Sequence, residues 1–251
     1  MQAKWLSFFT GLVVLFFIYH IPEFFSALWI AAVFKIGFLI VAFFIARLQG
    51  WKGLGGYGLN LHKGWVKNLI AGLLAGMIFF LLSEWLSIKM GYETLVSVKS
   101  LSTIWQVVPL TLLMTFFPSI AEDILTRGYL YGYLQNVLKP VMFILVSSLF
   151  YVGNHIWRLT EGVHILSYLF ILGIALAFAL VYTKSLWLTL GLHWGSNIAF
   201  EMTNTAATTQ TINKSMSTWI LAACFALLAV FIIVARKAFV KSTRTPASIH
   251  L

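Results

Sequence analysis

Eight apolar runs, at about residues 5–21, 27–46, 68–88, 104–126, 140–157, 164–183, 186–203 and 217–235, fill most of this chain. Each is long enough, or nearly so, to cross a hydrocarbon core of about 30 Å as a helix rising about 1.5 Å per residue. The fold expected is therefore all-α: a polytopic transmembrane helix bundle of about eight spans, forming a single integral-membrane domain over 1–251. Only 10% of the residues are charged, against roughly a quarter in a soluble domain. The loops are short and nothing reads as a strand. Binding and chemistry must then lie in or near the bilayer. Lys4 precedes the first run, but no small-residue cleavage site follows it, so residues 5–21 read as a retained helix.

A net charge of +10 would suggest nucleic acid in a soluble protein. Here the distribution of charge points to membrane orientation instead, and no nucleic-acid partner is expected. With the N-terminus in the cytoplasm, the inner segments carry Lys4, Arg47, Lys52, Lys63, Lys67, Lys139, Lys184, Arg236, Lys237, Lys241 and Arg244. The outer segments carry Lys89, Lys99, Arg158 and Lys214. The positive-inside rule then favours a multi-pass cell-membrane protein with both termini cytoplasmic. The basic tail from Arg236 is expected to lie on the anionic inner leaflet. The Gly-rich segment 49–67 is a cytoplasmic loop whose glycines read as turn formers. Cys224 is the lone cysteine, which excludes an internal disulfide and any zinc-type cysteine spacing.

A charge in mid-span costs about 2.5–3.5 kcal/mol on insertion scales, so such residues face a cavity or a partner. Lys35 is expected to snorkel or to meet an acid, and His20 and Glu201 to reach the interface. "SIAEDILTRG" (119–128) concentrates Glu122, Asp123 and Arg127. Asp123 and Arg127 are four apart, in the favourable order for an ion pair on one helix face. Glu122 points about 100° away and has no opposite charge three or four residues off, so either another helix accommodates it or it is partly protonated. Pro118, one turn earlier, is expected to kink this helix. Elsewhere Tyr151 and His155 are four apart, as are His193 and Asn197. Gly153, Gly195 and Ser196 would let these helices approach closely. Counted from the inner ends of their spans, Glu122 and Asn197 both lie roughly 20 Å deep. Two histidines, an amide and an unpaired carboxylate on three helices are compatible with one cluster.

These motifs resemble the CPBP family, the type II CAAX prenyl proteases and bacteriocin-processing or self-immunity (Abi) proteins. The family's Glu-Glu-x-x-x-Arg is met by Glu122-Asp123-Ile124-Leu125-Thr126-Arg127, followed by Gly128. Its Phe-x-x-x-His is met by Tyr151-Val152-Gly153-Asn154-His155, and its His-x-x-x-Asn by His193-Trp194-Gly195-Ser196-Asn197. The motif-bearing core spans about 104–200. Asp123 for Glu and Tyr151 for Phe are departures, and the first Glu is intact.

The resemblance implies an intramembrane endopeptidase acting on a peptide or membrane-protein substrate in the lipid bilayer. Glu122 would activate water, His155 would help hold it, and His193 with Asn197 would stabilise the oxyanion. Asp123, Arg127 and Tyr151 would support them. No cofactor is favoured: an amide beside His193 suits an oxyanion hole better than zinc. If a metal is used, Glu122, His155 and His193 would supply a three-ligand zinc site, as in a metalloprotease. A peptide pheromone, a bacteriocin leader or a membrane-protein terminus suits this compact chain better than a prenylated protein. The alternative is a non-catalytic membrane scaffold or bacteriocin self-immunity protein of the same fold. Transport is a further class that uses intramembrane acids, but the chain has no inverted repeat and no paired broken helices.

Overall fold

The computed structural model describes residues 2–242; Thr243 and Arg244 of the basic tail lie outside the described residues. The helices are α1 (Gln2–His20), α2 (Leu28–Leu48), α3 (Trp65–Lys89), α4 (Leu101–Asp123), α5 (Tyr129–Leu134), α6 (Pro140–Asn154), α7 (Val163–Thr183), α8 (Leu186–Ala206) and α9 (Lys214–Ala235). A π turn, Ile124–Gly128, makes α4 and α5 one long rod. The chain is thus an all-α polytopic bundle. Among the described residues, six helical stretches are long and apolar enough to cross a membrane: Lys4–Phe24, Trp29–Leu48, Trp65–Lys89, Leu101–Leu134, Val163–Thr183 and Lys214–Ala238. The two other expected spans are also helical. α6 has only 15 residues, and α8 carries polar groups in its middle.

Two strands correct the expectation of none. β1 (Glu93–Val98) and β2 (Ala207–Thr211) pair antiparallel, with Glu93 opposite Thr211 and Val98 opposite Ala207. They extend α3 and α8, so the pairing follows from how those helices meet. Both carry threonine, and β1 carries valine, β-branched residues that suit a pleated ribbon.

Glycine sets the α3–α8 contact. Gly72 and Gly76 face Gly191 and Gly195, and a Cβ on Gly195 or Gly76 would overlap the backbone carbonyl of Leu73 or Leu192. Small residues four apart on both helices permit this approach. Ser196 joins it by donating to the carbonyls of Leu192 (2.9 Å) and Gly76 (3.4 Å). Gly153 does not contribute: a Cβ there would meet nothing within 4 Å. Its side of α6 is exposed.

Helices alternate in direction, so residues 2 and 242 lie on one side. On that side the Leu186 N–H donates to the Gly58 carbonyl (3.0 Å) and the Ser242 N–H to that of Thr183 (2.8 Å). The Gly-rich segment is more than a surface loop. Trp51 and Tyr57 are buried in an aromatic cluster with Tyr129 and Tyr133. The Tyr57 hydroxyl donates to the Ala42 carbonyl (2.8 Å), and burial pushes its phenol well above the usual range, keeping it a donor. The turn 21–27, the β1–β2 ribbon and the segment 155–162 form the opposite side, where the Trp157 indole donates to Glu23 (3.0 Å).

Candidate active site

The rod of α4 and α5 carries the acids. It runs through Pro118 without a break, and its departure from α geometry comes instead at Ile124–Gly128. A π turn adds a residue to the helical turn and marks many functional positions. Gly128 is required there: a Cβ would lie 2.7 Å from the Tyr57 carbonyl and 2.9 Å from Leu186 Cδ1.

Asp123 and Arg127 pair as expected, Nη1 to Oδ1 at 2.7 Å, with both side chains fully buried. Arg127 also donates to Thr126 Oγ1 (2.9 Å) and stands over the Tyr151 ring, 4.3 Å from its centroid. Asp123 has a second contact that its spacing to Arg127 did not indicate: Oδ1 lies 3.2 Å from His193 Nδ1. The acid therefore orients the histidine of α8 as well as neutralising the arginine. A carboxylate at Nδ1 leaves Nε2 toward the cavity, and that nitrogen is 3.5 Å from Glu122 Oε2.

Glu122 is met from two further directions. His155 Nδ1 is 3.7 Å from Oε1. The Asn154 amide donates to Oε1 at 2.9 Å. His155 sits one residue beyond the end of α6, where Nδ1–H donates to the Tyr151 carbonyl (2.8 Å). Tyr151 lies edge-on to His155 (4.7 Å) and His193 (6.0 Å). Asn197 lines the same cavity, with one amide N–H donated to Ser119 Oγ (2.9 Å). All seven expected residues are thus brought together.

Two participants escaped the sequence reading. Asn154 stood inside the second motif as an unspecified position, though an amide beside a histidine in a span was a visible signal. His20 was expected to reach the interface but is 4% exposed. Its Nε2 meets Asn154 Oδ1 at 3.1 Å, and its Nδ1 meets Glu23 at 2.6 Å. A polar chain, Glu23–His20–Asn154–Glu122, thus runs from the surface to the buried carboxylate. Lys35 departs from expectation too: it donates to the Tyr19 carbonyl (2.9 Å) over the Tyr19 ring, rather than snorkelling or meeting an acid.

A cavity of about 480 Å³ opens onto these residues. Its walls are helical stripes at i, i+3, i+4 and i+7 spacings. α7 gives Ile165, Tyr168, Leu169 and Leu172, α9 gives Lys214, Thr218, Leu221 and Phe225, and α3 adds Phe80. The result is a shaft with apolar walls in its middle, a carboxylate, two imidazoles and an amide at one end, and Arg158, Glu161 and Lys214 at the other. Among the described residues no three His, Cys, Asp or Glu side chains form a metal-holding group, while His155 and His193 each bind a neighbour through Nδ1 and keep Nε2 uncommitted to a hydrogen bond, the arrangement that zinc-ligating histidines also use.

No curated protein matches the chain. The family model described as Type II CAAX prenyl endopeptidase Rce1-like matches residues 104–199, across all three motifs. With those motifs gathered on one cavity, the match supports a protease of the type II CAAX prenyl endopeptidase, or CPBP, family.

Proposed function

We propose that this chain is an intramembrane endopeptidase in which Glu122 activates water to hydrolyse a peptide bond. The observation that carries this reading is the convergence of Glu122, His155, His193 and Asn197 on one cavity. Glu122 takes a proton from a water as its oxygen bonds to the peptide carbonyl carbon. His155, held by the Tyr151 carbonyl, helps place that water. The oxyanion is met by the second amide N–H of Asn197 and by His193 Nε2–H. In this reading both ring nitrogens of His193 carry protons, Nδ1–H donating to Asp123 and Nε2–H to the oxyanion. Collapse breaks the C–N bond, and the proton on Glu122 passes to the leaving amine. Asn154 holds the Glu122 carboxylate toward the cavity.

No step in this reading needs a metal. The test is cleavage of a membrane-peptide library by purified protein, wild type against Glu122→Gln, each with and without a zinc chelator. General-base loss predicts a drop of about 10²–10⁴-fold in the variant. Chelation should leave the wild type unchanged. Loss on chelation would point to a metalloprotease. Wild-type inactivity in a folded sample would favour the scaffold or immunity reading.

A further inference from the structure

We infer that the shaft opens on the membrane face away from the cytoplasm, and that its substrate is an apolar peptide segment presented there. The substrate class rests on the peptidase reading; the direction of access does not.

Two observations together give the direction. The first is the course of the shaft. On α9 its wall runs from Phe225 through Leu221 and Thr218 to Lys214, about 16 Å at about 1.5 Å per residue. Lys214 begins α9 on the β1–β2 side, and it ends the shaft at an exposed rim. There its ammonium lies 3.5 Å from Glu161, with the two side chains 71% and 33% exposed. Toward the side of residues 2 and 242 the site is closed. Asp123, Thr126 and Arg127 are fully buried beneath Glu122, and the Trp51–Tyr57–Tyr129 cluster lies below them.

The second observation is charge. Among the described residues, ten lysines and arginines lie on the closed side, from Lys4 to Lys241, and no acid does. The rim side has Lys89, Lys99, Arg158 and Lys214, together with Glu23, Glu93 and Glu161. The positive-inside rule assigns the closed side to the cytoplasm. The rim then faces outward, and a chain end lying free in the cytoplasm has no path to Glu122. An exported or membrane-inserted chain does, provided its apolar residues can descend between α7 and α9.

The test uses full-length protein in intact cells, with Cys224→Ser as background and single cysteines introduced by Lys214→Cys, Thr218→Cys or Lys52→Cys. The probes are a membrane-impermeant maleimide for the surface positions and a small charged methanethiosulfonate for Thr218→Cys. Labelling after permeabilisation shows that each variant is present and reactive. Lys214→Cys and Thr218→Cys should label in intact cells as fully as in permeabilised ones, and Lys52→Cys only after permeabilisation. The reverse pattern, or equal labelling from both faces, would overturn the inference. A second arm displays one apolar reporter segment outside the cell or in the cytoplasm, with wild type and Glu122→Gln. Cleavage of the external copy alone, absent in the variant, is expected. Cleavage of the cytoplasmic copy alone would overturn the inference. The expected labelling with no cleavage on either face would retain the direction of access and reject the peptidase reading.

Discussion

Arg127 and Asp123 show how a charge is tolerated at this depth. Each neutralises the other at 2.7 Å, and the guanidinium rests on Tyr151. Removing one partner strands the other in a low-dielectric interior. Arg127→Met should therefore destabilise the protein by about 3–5 kcal/mol, measured by thermal unfolding in detergent. The Asp123→Asn/Arg127→Met double variant should be less damaged than Arg127→Met alone. Asn154 and His20 act at the same scale. Without Asn154 the Glu122 carboxylate loses a donor and can rotate, so Asn154→Ala should lower kcat by about 10²-fold with KM little changed. His20→Ala should act in the same direction. His20→Gln, which can keep a donor to Asn154 Oδ1, should recover part of the loss. Equal kcat in all three variants would remove these residues from the account.

Among the elements, α8 is the most constrained. One face must carry His193 and Asn197 into the cavity. The opposite face must lie against the backbone of α3, because Gly191 and Gly195 leave no room for a side chain. Gly195→Ala should cost about 1–3 kcal/mol through overpacking. Gly37→Ala, where a Cβ meets nothing within 4 Å, should change stability by less than about 0.5 kcal/mol. Equal melting temperatures for the two variants would contradict the close α3–α8 approach. The π turn belongs to this scale as well. It follows the acids directly and packs Gly128 against Tyr57, which ties the acid-bearing rod to a segment about seventy residues earlier in the chain.

For the whole molecule, the matched segment 104–199 holds the motifs but not the complete site. Phe80 comes from α3, and α9 supplies one wall of the shaft. His20, which holds Asn154, comes from α1. A fragment of residues 101–206 would expose the glycine face of α8 and half of the cavity. It should fail to give a monodisperse species by size exclusion in detergent, where the full chain does. A monodisperse, cleavage-competent fragment would contradict that dependence.

Helices and their order were legible in the sequence because hydrocarbon imposes a length and a composition on any segment that crosses it, and both are one-dimensional. Asp123–Arg127 was legible for the same reason: a helix fixes which residues at i and i+4 meet. What the tertiary structure decided is how the helices are set against one another. Nothing local indicated that Asp123 would also hold His193, that His20 would reach Asn154, or that β1 would find β2 across more than a hundred residues. Contacts between elements depend on crossing geometry, which here follows from glycine on α3 and α8 and from the irregular turn after Asp123. Sequence alone therefore named the groups that do the proposed chemistry, and packing determined which of them touch and from which face they are reached.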